Sequence, residues 1–153
     1  MNSKKEEHKR SLGAGKSKRD TNQIGNISEV ATIMRFLQLG YEVLMPYGGN
    51  LRCDMMIEDE DENFWRIQCK TGWLDESHTL IKFDTANHNV TGNNRQMRHY
   101  RGQCDYFAVY NESLNKVYLI PVDQVGITRA HLRLAPPKNN QGKYVRWAKD
   151  YEH

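Results

Sequence analysis

Eight consecutive residues, Phe64-Trp65-Arg66-Ile67-Gln68-Cys69-Lys70-Thr71, constrain this chain more than any other segment. Apolar Trp65, Ile67 and Cys69 alternate with polar Arg66, Gln68 and Lys70. Side chains of an extended strand point to opposite faces in turn. The first set therefore belongs to a core, and the second lines a polar face with Gln68 and Lys70 about 7 Å apart. A second strand is expected at Leu51–Ile57, where Leu51, Cys53, Met55 and Ile57 form the apolar set and Asp54 points the other way. Between the two strands runs Glu58-Asp59-Glu60-Asp61-Glu62-Asn63. Adjacent carboxylates repel one another and consecutive residues cannot all converge on one ion, so this run reads as a hairpin tip in water and not a metal cage. A hairpin of this kind brings Asp54 beside Gln68 and Lys70.

The rest of the chain reads as mixed α/β. Thr21 or Asn22 is positioned to cap a helix over 22–39, with Ile27, Val30, Ala31, Met34 and Leu37 as its buried stripe and Gly40 as its stop. Tyr41–Met45 is the first strand, closed by the turn Pro46-Tyr47-Gly48-Gly49-Asn50. Further strands are expected at Thr79–Asp84, Tyr106–Tyr110, Val117–Ile120 and His131–Leu134. One helical turn is expected at Pro121–Val125, and a last element at Tyr144–Lys149. The polar stretch 86–103 reads as loop or short helix. At 153 residues the chain suits one domain, expected over 21–153. The first twenty residues hold one large aliphatic side chain, Leu12, and seven Lys/Arg against three Asp/Glu, so 1–20 is expected to be a flexible basic arm. No run of about 18 apolar residues is present, which excludes a transmembrane helix. No secretory signal is expected, and three scattered cysteines, Cys53, Cys69 and Cys104, fit a reducing, cytoplasmic setting better than a disulfide framework.

Net charge is +3, but it is unevenly placed. Residues 21–94 carry eleven acids against five bases, and residues 95–153 carry ten bases against five acids. An acidic centre between basic ends suits a metal-binding middle flanked by phosphate-binding surfaces.

Asp54 offers a hard anionic oxygen to a divalent cation such as Mg²⁺, with Mn²⁺ as an alternative. Gln68 offers an amide oxygen and Cys69 its carbonyl. Glu29, just off the buried stripe of the helix, is placed to bind a second ion or orient water around the first. Lys70 puts a positive charge where a phosphate gains negative charge in a transition state. Together these groups suit metal-assisted phosphodiester hydrolysis. The plainer reading is a half-exposed Lys70–Asp54 ion pair of little energetic weight.

The ordered set Gly25-Asn26-Ile27-Ser28-Glu29, Gly40-Tyr41-Glu42-Val43, Cys53-Asp54 and Gln68-Cys69-Lys70-Thr71 resembles the PD-(D/E)XK nuclease superfamily. Within it the chain looks most like the small homing endonucleases associated with group I introns, and more distantly like archaeal Holliday junction resolvases. The likeness spans about residues 20–152. It implies a restriction-endonuclease-like core, a mixed sheet with flanking helices. It also implies a metal-dependent endonuclease for double-stranded DNA, with Glu29, Asp54, Gln68 and Lys70 as the catalytic set. Two departures stand out: Gln68 holds the acidic place of the motif, and Cys53 the Pro place before Asp54. The intron-associated group is similar in using Gln there, and one fewer carboxylate implies weaker binding of a second metal.

Phosphate and base contacts are expected from Arg95, Arg98, Tyr100 and Arg101, where arginines interleave with an aromatic, and from Lys82, Lys138, Asn140 and Lys143. His78, His88 and His131 show no ligand spacing and read as surface residues. Since one compact site cuts one strand, cutting both implies a homodimer or homotetramer. The competing expectations are a structure-selective or junction nuclease and a DNA-binding module of the same fold without catalysis.

Overall fold

The computed structural model describes residues 14–15, 17–49, 51–91, 94–139 and 142–153, with backbone alone for 88–91 and 94–96. Most of the expected basic arm, together with Asn140 and the side chain of Arg95, lies outside the described residues. The arm's last residues are fixed: Arg19 makes a forked ion pair with Glu112 (2.7 and 2.8 Å), and Asp20 caps the helix.

That helix, α1, spans Thr21–Gln38. Its cap is Asp20, not Thr21 or Asn22. The Gln23 amide donates to Asp20 Oδ1 at 2.8 Å, and the Asp20 amide donates to Gln23 Oε1 at 3.0 Å, a reciprocal capping box. Gly40, at φ +87°, turns the chain out of the helix as expected. The buried stripe differs from the expected one. Ser28, Thr32 and Phe36 are buried, while Val30, Met34 and Leu37 are 63, 56 and 54% exposed. Hydroxyls sit in the core because each is satisfied locally: Thr32 donates to the Ser28 carbonyl (2.8 Å), and Ser28 meets both the Ile24 carbonyl (3.2 Å) and Thr71 Oγ1 (2.7 Å).

Among the described residues ten strands follow: β1 (Glu42–Leu44), β2 (Met55–Glu58), β3 (Phe64–Thr71), β4 (Trp73–Leu74), β5 (Leu80–Asp84), β6 (Ala86–Thr91), β7 (Asn94–His99), β8 (Tyr106–Asn111), β9 (Lys116–Pro121) and β10 (Arg129–Arg133). A five-stranded sheet runs β1-β2-β3-β8-β9, with β3 and β8 parallel and the other neighbours antiparallel. A three-stranded sheet runs β10-β5-β4, and β6 pairs with β7 alone. Helix α1 covers one face of the larger sheet over Phe36, Met55, Ile57 and Ile67. The smaller sheet covers the other, with Ile81, Phe83 and Leu132 meeting Phe107, Val109 and Ile120.

Several expectations need correcting. The second strand begins at Met55, not Leu51. Stretch 86–103 is largely the β6–β7 hairpin, not loop or helix. Pro121 precedes a 3-10 turn at Val122–Gln124 and does not open it. The expected last element is an isolated Trp147–Arg133 bridge followed by a 3-10 turn at Ala148–Asp150. The acidic run behaves as expected: Asp59 accepts from the Asn63 amide (2.9 Å) and from Trp65 Nε1 (2.8 Å), folding an exposed tip.

Gly72 carries the chain from one sheet to the other. A Cβ there would stand 2.7 Å from Ile81 Cγ2 and 2.8 Å from Val109 Cγ1, so only glycine lets the two sheets close on this point.

Candidate active site

Asp54 sits where β2 has not quite begun. Its amide donates to the Ile67 carbonyl at 2.9 Å, the last backbone tie to β3 before the chain departs. The Asp54 carboxylate then takes the place of a strand partner: Oδ2 accepts from the Cys69 amide at 2.7 Å and from Gln68 Nε2 at 2.6 Å. A shorter β2 thus has a physical reason, since the aspartate side chain satisfies the donor that a longer strand would have paired. Among the described residues no donor reaches Oδ1. Burial pushes the Asp54 carboxyl up, opposed by the Cys69 amide, the Lys70 charge and the Gln68 hydrogen bond.

Lys70 projects from the same face of β3, as the alternation predicts. Burial lowers its pKa, and the charges of Asp54 and Asp84 act against that. Its ammonium donates to the Tyr100 hydroxyl at 3.3 Å and lies 4.6 Å from that ring's centre. Tyr100 is 3% exposed and packs edge-on against Phe107, and the Arg52 guanidinium lies 4.5 Å from its ring centre. Burial pushes the phenol up to about 12, so it stays protonated at neutral pH and offers Lys70 an acceptor. Arg52 is itself held by the His99 carbonyl at 2.8 Å and by Gln103 Oε1.

Glu29, on α1, completes the group. Burial first, and then the Asp54 charge, hold its carboxyl above the usual range. Both carboxyls are held above their ordinary values chiefly by burial, and a bound cation would relieve that. Arg66, the third polar residue of β3, is engaged elsewhere: it grips Asp105 through Nε and Nη2 at 3.1 and 2.9 Å.

The structure therefore brings Glu29, Asp54, Gln68 and Lys70 together, with the Cys69 backbone. It separates the two cysteines. Cys69 packs on the helix side of the sheet, but Cys53 packs against the opposite core, because its segment is not strand and does not follow strand parity. Tyr100, expected on DNA, is buried against Lys70 instead. Arg101 donates to the Val125 carbonyl at 2.8 Å, although the residue is otherwise exposed. Lys82 is exposed on β5, Arg98 on β7, and Lys138 and Lys143 in the later loop. An open cleft of about 530 Å³ runs from Lys70 past Lys82 and Trp73 toward Arg129. Sequence reasoning missed the part Tyr100 plays. The signal was there: it is the one aromatic residue in 86–103, and a lone aromatic in a polar run is anchored in a core more readily than on a surface.

Among the described residues no three His, Cys, Asp or Glu side chains group as a metal cage. The donor set fits a smaller demand, two carboxylates supplemented by the Gln68 amide oxygen and the Cys69 carbonyl. These are hard oxygen donors of the kind Mg²⁺ accepts while keeping several waters.

Comparison with known proteins identifies the family and the fold. The model of the PD-(D/E)XK endonuclease family matches residues 19–153. Among solved structures the chain is similar to a bacterial homing endonuclease, I-Ssp6803I, at a TM-score of 0.70 and 26% sequence identity, over 88% of this chain and 89% of that one. No curated protein matches the sequence.

Proposed function

The chain belongs to the PD-(D/E)XK endonuclease family, and we propose that it is a homing-type nuclease that cuts double-stranded DNA at a specific site, using Mg²⁺. The observation that carries this reading is the Asp54 carboxylate, pinned by Gln68 and Cys69 next to a buried Lys70. The homing-type specificity takes its support from the likeness to I-Ssp6803I.

In this reading Asp54, Glu29, the Gln68 amide oxygen and the Cys69 carbonyl hold the cation. When bound, a divalent cation polarises the phosphate and acidifies a water molecule. The chain's own groups do the positioning. The Cys69 amide and Gln68 fix one Asp54 oxygen, which leaves Oδ1 aimed by backbone geometry and not by a loose rotamer. Lys70 faces the charge that gathers on the phosphate, and its burial strengthens that interaction because less water screens it. The Tyr100 hydroxyl holds Lys70, and the Asp54 charge favours its protonated form.

Cutting both strands requires two such sites, and we propose an even oligomer, a homodimer or homotetramer. The exposed apolar stripe Val30, Met34 and Leu37 supports it as a surface that association would cover. A reducing cytoplasm suits the three free cysteines.

The test is cleavage of plasmid DNA bearing candidate target sites, with Mg²⁺, with EDTA and with Lys70→Ala. Metal-dependent cutting at one recurring sequence is the expected result. Wild-type protein that binds duplex but never cuts sinks the enzyme reading, and preferential cutting of a four-way junction over linear duplex sinks the homing one.

A further inference from the structure

Away from the active site, cations concentrate on the outer face of the three-stranded sheet. Along β5 and β10, Ile81, Phe83, Ala130 and Leu132 turn into the core, while Lys82, Asp84, Arg129 and His131 turn outward and Arg133 follows the same parity. Strand register sets Trp73, Lys82 and His131 opposite one another in a single row. Two residues along, Asp84 faces Arg129, and two residues back Leu80 faces Arg133. The segment bearing Arg146 runs alongside, with the Arg133 amide donating to the Arg146 carbonyl at 2.7 Å.

Within the paired strands of this face Asp84 is already paired with Arg129 at 2.9 Å, and Asp75, at the turn after β4, is taken up by Ser77 and the Thr79 and Leu80 amides. Among the described residues Lys82, His131 and Arg133 enter no ion pair. Burial, and then the charges of Arg133, Arg146 and Lys82, hold the His131 imidazole below its ordinary value, and no acid offsets them. Cations crowded together without counter-charges repel one another, and an anionic ligand laid across them removes that cost. Exposed Trp73, 56% accessible, adds apolar surface at one end of the row.

We infer that this sheet face is a docking surface for the phosphate backbone of duplex DNA. Lys82, His131 and Arg133 contact phosphates, and Trp73 lies against sugars. The inference rests on the proposed DNA-cleaving function and says which surface holds the substrate. The dimensions agree. Two strand spacings by four residues make a patch of about 10 by 13 Å, and 13 Å is about four steps of a DNA strand at 3.4 Å each. The cleft that joins Lys82 and Arg129 to Lys70 leads a strand held there to the reacting groups. Phosphate contacts of this kind position a duplex without reading its sequence.

The experiment compares the full chain with a Lys82→Ser, His131→Ser, Arg133→Ser variant, binding random-sequence duplex in EDTA at several salt concentrations. Affinity should fall about tenfold or more at low salt, for every sequence alike, and the log–log salt slope should become shallower by about two. A variant that melts like wild type and keeps wild-type affinity and slope overturns the inference. A footprint on unmodified protein guards against misfolding. Duplex should slow acetylation of Lys82 but not of Lys116, which lies on the far edge of the other sheet. Equal reactivity of Lys82 with and without duplex overturns the surface, and so does protection by single-stranded RNA as strong as by duplex DNA. Protected Lys82 in a protein that never cuts DNA removes the nuclease reading and leaves the surface standing. Metal-dependent cutting with unprotected Lys82 does the reverse.

Discussion

The Lys70 ammonium rests against a buried tyrosine, 3.3 Å from the Tyr100 hydroxyl and 4.6 Å from the ring centre. A flexible cationic side chain is thereby held in one place by a neutral acceptor and a ring face, neither of which cancels its charge. Tyr100→Phe keeps the ring and its packing on Phe107 and removes the hydroxyl alone. Cleavage kcat should drop about ten- to a hundredfold, in line with loss of one hydrogen bond to a charged group. KM and melting temperature should change little. A variant that cuts at the wild-type rate separates the tyrosine from the reaction.

Lys70→Met should abolish most cleavage, by about 10²–10³-fold as for other groups that stabilise developing charge, while duplex affinity stays within a few fold. Stability should move the other way. Burial lowers the Lys70 pKa in the folded chain, so the folded state binds that proton less tightly than the unfolded one does. This opposes folding at neutral pH and below, and the opposition fades as pH rises toward the unfolded lysine value. A thermal melt near neutral pH should therefore show Lys70→Met equal to or slightly above wild type. A clear loss of stability means that the Asp54 attraction outweighs burial.

Glu29 makes a pH-dependent prediction. Its folded pKa is raised, so the folded chain holds the proton more tightly than the unfolded chain. The group favours folding at low pH, and this contribution is lost as pH rises through the folded value. In EDTA, Glu29→Gln should gain a few tenths of a kcal/mol near pH 7, given solvent screening. It should gain nothing below about pH 4, where an ordinary glutamate is protonated. The same variant should bind Mg²⁺ more weakly by calorimetry. Destabilisation near pH 7 would mean that an attractive partner holds the carboxylate.

At Gly72 the space for a side chain is already filled by Ile81 and Val109. Gly72→Ala should destabilise the fold by about 1–3 kcal/mol, the usual cost of overpacking, read from urea unfolding. An unchanged midpoint would show that the two sheets can separate at this point without penalty.

The sequence showed β3 and its two faces because eight residues alternate without a break, and the resemblance built on Asp54 and Gln68-Cys69-Lys70 is borne out by the family match. Other parts were illegible for identifiable reasons. The β6–β7 hairpin is made mostly from Asn, His, Arg and Gln, so no regular apolar period announces it. On α1 the buried side chains include Ser28 and Thr32, which a hydrophobic stripe passes over, while Val30, Met34 and Leu37 face outward. Cys53 looked like a strand residue on the core side, but the strand starts two residues later and parity carries no information before it. Tyr100 shows the same limit from another side: composition placed it near phosphates, and only the fold turns it inward to a lysine thirty positions away.

The glycine crossing between the two sheets also fixes a length. From Lys70 to Trp73 the chain advances three residues, about 10 Å if extended, with no hinge and no loop between them. The lysine proposed to act on the phosphate and the near edge of the basic sheet are thus marks on a single short rule. On the proposed reading, a duplex gripped at one mark would meet the other at a constant offset, and covalent backbone would set the place of the cut.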